Sequence, residues 1–193
     1  MANLLFKFGP MGCGKTRDLI REWYNYTEND KKAIIIKPEI DTKGDNTILS
    51  RDGSQKTVDK IIEKKDNIYR YITKYILNNR LDCILVDEAQ FLSRKHVEQL
   101  RDVVDILNID VICYGLRVDF LNKLFPGSDA LFALSDQLQE LTLKCKCLNK
   151  ATANVRFVNG KPCFKGKQVA IDGEDKVTYV SMCNKCRRDL LRK

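Results

Sequence analysis

Short apolar runs alternate with amphipathic stretches along the first three quarters of the chain. Four runs have the aliphatic, β-branched composition of buried parallel strands, and they lie at residues 4–8, 33–37, 82–86 and 110–114. Apolar side chains at helical spacing predict helices after the first run and at residues 67–77, 93–107 and 128–134, with a further strand at 140–143. This alternation predicts an α/β fold, with a parallel sheet and helices on both faces.

The first predicted strand leads into the sequence GPMGCGKT at residues 9–16. This sequence satisfies the pattern G-x-x-x-x-G-K-[ST], a P-loop whose backbone N–H groups cradle phosphates. A strand, a turn and a helix in this order also direct the positive end of a helix dipole at the anion. Lys15 is expected to reach the β- and γ-phosphates of ATP, and the Thr16 hydroxyl to reach Mg²⁺. The predicted ATP-binding residues of this loop are Gly9, Pro10, Met11, Gly12, Cys13, Gly14, Lys15 and Thr16.

Two carboxylates, Asp87 and Glu88, directly follow the third apolar run. Asp87 occupies the position at which P-loop enzymes carry the acid that holds Mg²⁺. Adjacent residues at a strand end point in different directions, so Glu88 can face the acceptor and act as a general base. The same pair would activate water in an ATPase, and DEAQ at residues 87–90 is similar to a helicase box. A helicase would normally need a second motor domain, for which we expect no room in 193 residues.

Charge is distributed unevenly along the chain. Residues 1–136 carry 21 basic and 21 acidic side chains, so the net charge of +8 belongs to residues 137–193. Such a basic segment can bind nucleic acid, offset an anionic metal site with its ligands, or be a solvated face. The sequence has no apolar run near eighteen residues and no signal peptide, which predicts a cytoplasmic protein with reduced cysteines.

Five of the eight cysteines lie after residue 144, and four of them form two close pairs, Cys145 with Cys147 and Cys183 with Cys186. Two such pairs favour a structural tetrahedral Zn²⁺ site, although the first pair is one residue shorter than the usual C-x-x-C. A lobe without metal is the alternative. We therefore expect a P-loop ATP-binding α/β domain at residues 1–143 and a small zinc-bearing lobe at 144–193.

The order of these motifs resembles the cellular-type (type II) thymidine kinase family over nearly the whole chain. The resemblance rests on residues 9–16, on DEAQF at 87–91, on YGLRxDF at 114–120, on LFxGS at 124–128 and on the cysteine pairs. It implies transfer of the γ-phosphate of ATP to the 5′-hydroxyl of thymidine with Mg²⁺ in nucleotide salvage, with deoxyuridine left open as a second substrate. It also implies a homotetramer, feedback inhibition by thymidine triphosphate, and no membrane or nucleic-acid partner.

The same resemblance implies roles for individual residues. Glu88 becomes the base, Asp87 and Thr16 hold Mg²⁺, and Gln90 joins Asp87 on the ATP side. The lobe is implied to close over the nucleoside, whose binding residues are Met11, Phe91, Leu116, Phe120, Phe125, Asn154 and Tyr179, together with a lasso of Gln168, Val169, Ala170, Ile171, Asp172 and Gly173. Several apolar residues gathered near a phosphate site also favour a flat slot for a base on physical grounds.

Some roles stay open on the sequence alone. A polar arm with Asp41, Lys43 and Arg51 is expected near the phosphates, and either Arg51 or Arg117 could supply charge in the transition state. The lone histidine, His96, is interpreted as structural, on an exposed helix face. Two competing functions use the same motifs: a nucleic-acid-binding P-loop ATPase with a zinc ribbon, and a nucleotide-binding regulator with an idle Asp87–Glu88 pair.

Overall fold

A computed structural model of the chain describes residues 1–40, 46–166, 168 and 176–192. Within these ranges the strands are β1 (Leu4–Phe8), β2 (Ala33–Pro38), β3 (Thr47–Leu49), β4 (Gln55–Thr57), β5 (Lys60–Ile62), β6 (Cys83–Val86), β7 (Asp110–Gly115), β8 (Gln137–Glu140), β9 (Ala153–Val158), β10 (Lys161–Cys163) and β11 (Val177–Met182). The helices are α1 (Lys15–Glu28), α2 (Ile68–Tyr75), α3 (Arg94–Leu107), α4 (Pro126–Leu134) and α5 (Asn184–Leu191), with a short 3-10 helix at Ala89–Phe91.

The main sheet joins six of the described strands in the order β5-β2-β6-β7-β1-β8, and every neighbouring pair is parallel. Side chains alternate along each strand, so Leu4 and Phe6 pack on one face and Leu5 on the other. Helices α2, α3 and α4 cover the first face, while α1 packs on the second. The predicted parallel sheet with helices on both faces is therefore confirmed.

The carboxyl ends of the central strands meet at one edge of the sheet. The backbone N–H of Gly9, after β1, donates to the carbonyl oxygen of Gly115 at the end of β7, at 3.3 Å. Asp87 follows β6, and its backbone N–H donates to Ile36 of β2 at 3.0 Å. Ligands of open parallel sheets bind beyond this edge, so the fold brings the phosphate loop and the two carboxylates to one place.

The last strand of the main sheet differs from the prediction. A strand was expected at residues 140–143, but β8 spans Gln137–Glu140 and pairs with β1, with Leu5 opposite Gln137. Three of its four side chains are exposed because β8 lies at the sheet edge. An edge strand with polar side chains lacks the apolar composition on which the prediction depended.

Part of the segment predicted as a polar loop forms a hairpin. Strands β3 and β4 pair antiparallel, with Ile48 opposite Lys56, and the turn between them contains Arg51. Ile48 is buried with Val58 in the layer that contains α1. Lys56 places its ammonium 3.3 Å from the centre of the Trp23 ring on α1, a cation–π contact that holds the hairpin against this helix.

The expectation that His96 lies on an exposed face is wrong. His96 is only 4 % exposed, and burial lowers its pKa because a charged imidazolium would lose hydration. The same side of α3 presents Gln99, whose Oε1 accepts the backbone N–H of Ile68 at 2.9 Å and so joins α3 to the start of α2. The burial of His96, on the side of α3 that packs against α2, fits the structural role assigned to it.

Beyond β8 the described chain forms a three-stranded antiparallel sheet in the order β10-β9-β11, followed by α5. No strand of this sheet was predicted from the periodicity of the sequence. The division of the chain at residue 143 stays a prediction. None of the helices in the described ranges combines the length and the apolar character needed to cross a bilayer.

Candidate active site

The phosphate loop is a tight turn that opens directly into α1. Gly14 is the N-terminal cap of this helix with a φ of 88°, and Lys15 is its first residue. A Cβ at Gly9 would collide with the carbonyl oxygen of Leu141 and lie 2.6 Å from Cys13 Sγ, so only glycine fits there. Lys15 is buried, and its ammonium donates to the carbonyl oxygen of Pro10 at 2.9 Å. The helix N-terminus and this ammonium together give the loop its positive potential.

A buried polar network beneath the loop fixes α1 on the sheet. Lys7 of β1 donates to Asp18 of α1 at 2.9 Å, and Glu22 lies 3.6 Å from the same ammonium. Tyr114 of β7 donates its hydroxyl to Asp18 at 3.1 Å, and burial followed by the Asp18 charge raises its pKa. This network was not predicted from the sequence. Its signal was Lys7, a charge inside the otherwise apolar first strand.

Thr16 and Asp87 meet across the sheet edge. The Thr16 hydroxyl lies 3.4 Å from Asp87 Oδ2, although 71 residues separate them in the sequence. Asp87 is 4 % exposed, and its Oδ1 accepts the backbone N–H of Glu88 at 3.0 Å. A hydroxyl and a carboxylate are oxygen donors of the kind that Mg²⁺ prefers, so this pair fits the predicted magnesium ligands.

Glu88 occupies a strained backbone position at the tip of β6. Its φ of 48° and ψ of 37° lie in the left-handed region, which non-glycine residues adopt infrequently. The Gln90 amide group donates to the Glu88 carboxylate. The side-chain Oε1 of Gln90 accepts the backbone N–H of Leu116 at 2.9 Å. Gln90, predicted on the ATP side, is fully buried in this structure and links Glu88 to the loop after β7.

The predicted apolar wall consists of Met11 in the phosphate loop and of residues in two segments that pack together: Phe91 in the 3-10 helix, and Leu116, Phe120 and Phe125 between β7 and α4. The rings of Phe91 and Phe125 meet edge to face at a centroid distance of 5.6 Å. A Cβ at Gly127 would collide with the carbonyl oxygen of Ala89, so glycine lets α4 approach the 3-10 helix closely. Phe125 and Phe120 are almost fully buried, whereas three other members of the predicted wall are partly accessible: Met11, Phe91 and Leu116.

The loop that contains Leu116 and Phe120 has a fixed shape. The Asp119 carboxylate accepts the backbone N–H groups of Leu121 and Lys123, each at 2.8 Å. The hydroxyl of Ser128, at the start of α4, donates to the carbonyl oxygen of Leu116 at 2.5 Å. Asp119 and Ser128 are both buried, so these contacts shape the wall from beneath.

Tyr179 is joined to the wall through a buried arginine that our sequence analysis did not single out. The Arg156 guanidinium is centred 3.6 Å from the middle of the Phe120 ring, and its Nε donates to the Tyr179 hydroxyl at 3.1 Å. Arg156 also donates to the carbonyl oxygen of Gln168 at 3.3 Å. Gln168 in turn donates its side-chain amide to the carbonyl oxygen of Leu124 at 3.4 Å.

The rest of the predicted lasso, namely Val169, Ala170, Ile171, Asp172 and Gly173, lies outside the described residues, as do Asp41 and Lys43 of the predicted polar arm. Asn154, predicted to bind the nucleoside, is buried with its side-chain oxygen accepting the backbone N–H of Met11 at 2.8 Å. This contact connects β9 to the phosphate loop.

The two candidate arginines lie in different places. Arg51, in the turn of the hairpin, lies over the phosphate loop: a Cβ built at Gly12 would be 3.1 Å from its Nη1. Arg117 donates to the carbonyl oxygen of Thr152 at 3.3 Å, between the loop after β7 and the start of β9. Arg51 therefore lies over Gly12, in the middle of the phosphate loop, whereas Arg117 lines a small cavity beside Gly9 and Pro10 at the start of the loop.

Comparison with known proteins identifies the family of the chain. The family model described as "Thymidine kinase" matches residues 2–187. The chain belongs to the thymidine kinase family. A protein named thymidine kinase from Mannheimia succiniciproducens is 40% identical over 185 residues, covering 95% of this chain and 93% of the relative. Relatives with the same name from Francisella tularensis subsp. holarctica and Lactococcus lactis subsp. lactis are 36% and 38% identical, each aligned over 96% of both chains.

Membership of the thymidine kinase family confirms the resemblance deduced from the motifs and makes the chain a nucleotide-binding transferase of the kinase class. A similar solved structure, a Bacteroides Pif1 helicase bound to single-stranded DNA, aligns with a TM-score of 0.40 and 15% identity. It covers 72% of this chain and 38% of that one. Similarity this low gives no information about the function of this thymidine kinase homologue.

The four paired cysteines converge into one cluster in this thymidine kinase homologue. The four Sγ atoms, of Cys145, Cys147, Cys183 and Cys186, all lie within 4.8 Å of one another. Thiolates of a tetrahedral zinc site with Zn–S bonds of about 2.3 Å are separated by about 3.8 Å, so the cluster fits Zn²⁺. The backbone N–H of Asn149 lowers the pKa of the Cys147 thiol, which favours the thiolate that a metal needs, whereas the neighbouring thiols raise the pKa of Cys186.

Proposed function

We propose that this chain transfers the γ-phosphate of ATP to the 5′-hydroxyl of thymidine. The observation that carries the proposal is the meeting of Thr16 with Asp87 at 3.4 Å, with Glu88 as the next residue on the same strand tip. A phosphate loop, a metal-binding pair and a second, oriented carboxylate are the parts that in-line phosphoryl transfer needs. The relatives are named thymidine kinases, which indicates thymidine as the nucleoside.

On the ATP side, the backbone N–H groups of the loop and the Lys15 ammonium would hold the phosphates. The Thr16 hydroxyl and the Asp87 carboxylate are the groups that would hold Mg²⁺, whose role is to neutralise charge on the β- and γ-phosphates. Burial of Asp87 keeps its carboxylate oriented toward Thr16. These residues bind and orient the phosphoryl donor without forming a covalent intermediate.

On the acceptor side, Glu88 would take the proton from the attacking hydroxyl. The hydrogen bond from Gln90 fixes one carboxylate oxygen and leaves the other to accept this proton. Gln90 is itself fixed by the Leu116 backbone, so the base and the apolar wall are positioned together. The strained backbone of Glu88 is consistent with this role, because strain of this kind is concentrated at functional sites.

The nucleoside would bind between the apolar wall and the described part of the antiparallel lobe. Phe91, Met11 and Leu116 are partly accessible and offer the flat apolar surface that a pyrimidine requires. Tyr179, held by Arg156, would close the site from the side of the lobe. The lasso at residues 168–173 is proposed to read the base through its backbone groups.

A nucleoside panel tests the proposed reaction. With ATP and Mg²⁺, we expect phosphorylation of thymidine, measurable deoxyuridine phosphorylation and little reaction with deoxycytidine, all followed by chromatography of the monophosphates. Adding thymidine triphosphate to the same assay tests the predicted feedback inhibition, and light scattering tests the predicted homotetramer. Stimulation of ATP consumption by single-stranded DNA, with no thymidine monophosphate formed, would instead support the nucleic-acid-binding ATPase.

We also propose that Arg51 supplies positive charge to the transferring phosphate. The hairpin that contains Arg51 is held on α1 by Lys56 and Trp23, and the Arg51 guanidinium lies over Gly12 of the phosphate loop. Replacing Arg51 by Gln is expected to lower kcat/KM for ATP by about 10- to 100-fold, the size of a lost hydrogen bond to a charged group. Arg117→Gln is the matched control, with an expected change below about threefold. A larger loss in the control than in Arg51→Gln would reverse the assignment.

A further inference from the structure

Both main-chain groups of Met11, the third residue of the phosphate loop, are held by side chains of the antiparallel lobe. The Met11 N–H donates to Asn154 Oδ1 at 2.8 Å, and its carbonyl oxygen accepts the Ser181 hydroxyl at 2.6 Å. Asn154 lies 143 residues away in the sequence and Ser181 lies 170 residues away. Because its N–H and its carbonyl oxygen are both held, the backbone of Met11 is fixed in position and in orientation.

Asn154 and Ser181 are themselves partners in the lobe. They lie opposite each other on β9 and β11, and their side-chain oxygens are 3.2 Å apart. Asn154 is 4 % exposed, so its contacts are made where water competes little. Because the pair belongs to paired strands, any movement of the antiparallel sheet must move both contacts to Met11 together.

Asn154 also reaches the apolar wall. Its amide group donates to the carbonyl oxygen of Val118 at 3.4 Å, in the loop that continues to Phe120. The beginning of that loop, at Leu116, is connected through Gln90 to Glu88. Asn154 thus lies on β9 of the lobe and contacts both the phosphate loop, at Met11, and the loop after β7, at Val118.

These contacts determine which backbone N–H groups of the phosphate loop remain available to bind phosphates. The N–H of Met11 is already committed to Asn154, and that of Cys13 makes a long bond of 3.4 Å to Pro10, so the cradle for phosphates is formed by the other N–H groups of residues 12–16. The shape of that cradle depends on where Met11 is held. The polar side chain of Asn154 is likewise committed to the loop, which makes it a positioning residue.

We propose that Asn154 and Ser181 form a polar clamp on Met11 that couples nucleoside binding to ATP binding. The inference rests on the proposed function. A nucleoside that draws the antiparallel sheet toward the wall moves Met11 through the clamp and so sets the loop for the phosphates. Coupling of this kind is reciprocal, so ATP must strengthen nucleoside binding by the same factor.

The test measures the dissociation constant of the non-hydrolysable analogue AMP-PNP with Mg²⁺, by calorimetry, with and without thymidine. For the unmodified chain, thymidine is expected to tighten binding by about 5- to 150-fold, the usual range of coupling between two sites. In Ser181→Ala and Asn154→Ala this ratio is expected to approach 1. Ser181→Thr keeps the hydroxyl on the strand and is expected to retain most of the ratio. Thr178→Ala, which removes an exposed hydroxyl from the same strand, is the matched control.

Amide hydrogen exchange at Met11 provides a second measurement that needs no nucleoside. Asn154→Ala is expected to speed this exchange by about tenfold or more, because the N–H loses its acceptor, whereas Thr178→Ala leaves it unchanged. Circular dichroism and thermal unfolding check that each variant is folded.

The outcomes separate the clamp from the proposed function. Unchanged Met11 exchange in folded Asn154→Ala would overturn the clamp, and so would an unchanged coupling ratio in folded Ser181→Ala. A ratio of 1 in the unmodified chain, if that chain phosphorylates thymidine, would also overturn it. Failure to phosphorylate thymidine would instead overturn the proposed function, and the exchange experiment would then decide the clamp alone.

Discussion

Replacing Glu88 by Gln is expected to lower turnover by about two decades or more while nucleotide binding stays near normal. The substitution removes the proton acceptor and keeps the size of the side chain. The carbonyl oxygen of the new amide can still accept the hydrogen bond from Gln90, so the position of the side chain is preserved. Glutamate and glutamine must adopt the same left-handed backbone conformation at position 88, so the substitution costs little stability.

The measurement is single-turnover formation of thymidine monophosphate, with ATP and thymidine both saturating. The dissociation constant of AMP-PNP with Mg²⁺, measured on the same preparation, separates lost chemistry from lost binding. Asp87→Asn is the informative comparison, because it is expected to raise the Mg²⁺ concentration needed for half-maximal rate. Near-normal turnover in Glu88→Gln would refute Glu88 as the base and leave it a positioning carboxylate.

The parts of the site that follow from strand order could be predicted from the sequence. Parallel strands end at one edge, so an apolar run before Gly9, another before Asp87 and a third before Gly115 suffice to bring these residues together. The start of α3 could also be predicted, since Ser93 accepts the backbone N–H of His96 as an N-terminal cap should, whereas α2 ends two residues before the predicted end and α4 begins two residues before the predicted start. Local patterns determine these features.

The parts that depend on long-range contacts could not be predicted in this way. Gln90 sits between Glu88 and Leu116, and nothing in its own segment indicates a partner 26 residues away. The hairpin with Arg51 has strands of three residues, too short for a periodic signal. The side-chain oxygen of Asn154 binds a backbone N–H, which leaves no pattern in the sequence.

The strands of the antiparallel lobe could not be predicted from the sequence for a different reason. The three strands mix apolar with polar residues, and only Ala153 to Arg156, a run that includes the polar Asn154 and Arg156, are continuously buried. A small sheet of this kind buries little apolar area, so another source of stability is expected. The cysteine cluster, packed with Ala151 and Met182, lies at the point where such a source would act.

Removal of the metal is accordingly the other prediction with a large effect. Metal analysis of the purified protein is expected to find about one zinc per chain, as a four-cysteine site requires. Structural zinc contributes about 10–16 kcal/mol in small zinc-binding peptides at neutral pH, which matches or exceeds the total stability of a typical domain. Cys183→Ser is therefore expected to lose the zinc, lower the unfolding temperature and unfold the lobe.

Cys163→Ser is the matched control, because Cys163 lies on β10, outside the cluster, and its thiol donates only to a nearby carbonyl oxygen, that of Lys165, at 3.3 Å. It is expected to keep the zinc and the activity. Cys183 is two residues from Ser181, so loss of the zinc should also release Met11 and weaken ATP binding. Fully active protein without metal would refute a structural zinc, whereas a zinc-free protein with normal ATP affinity and no thymidine affinity would confine the role of the metal to the lobe.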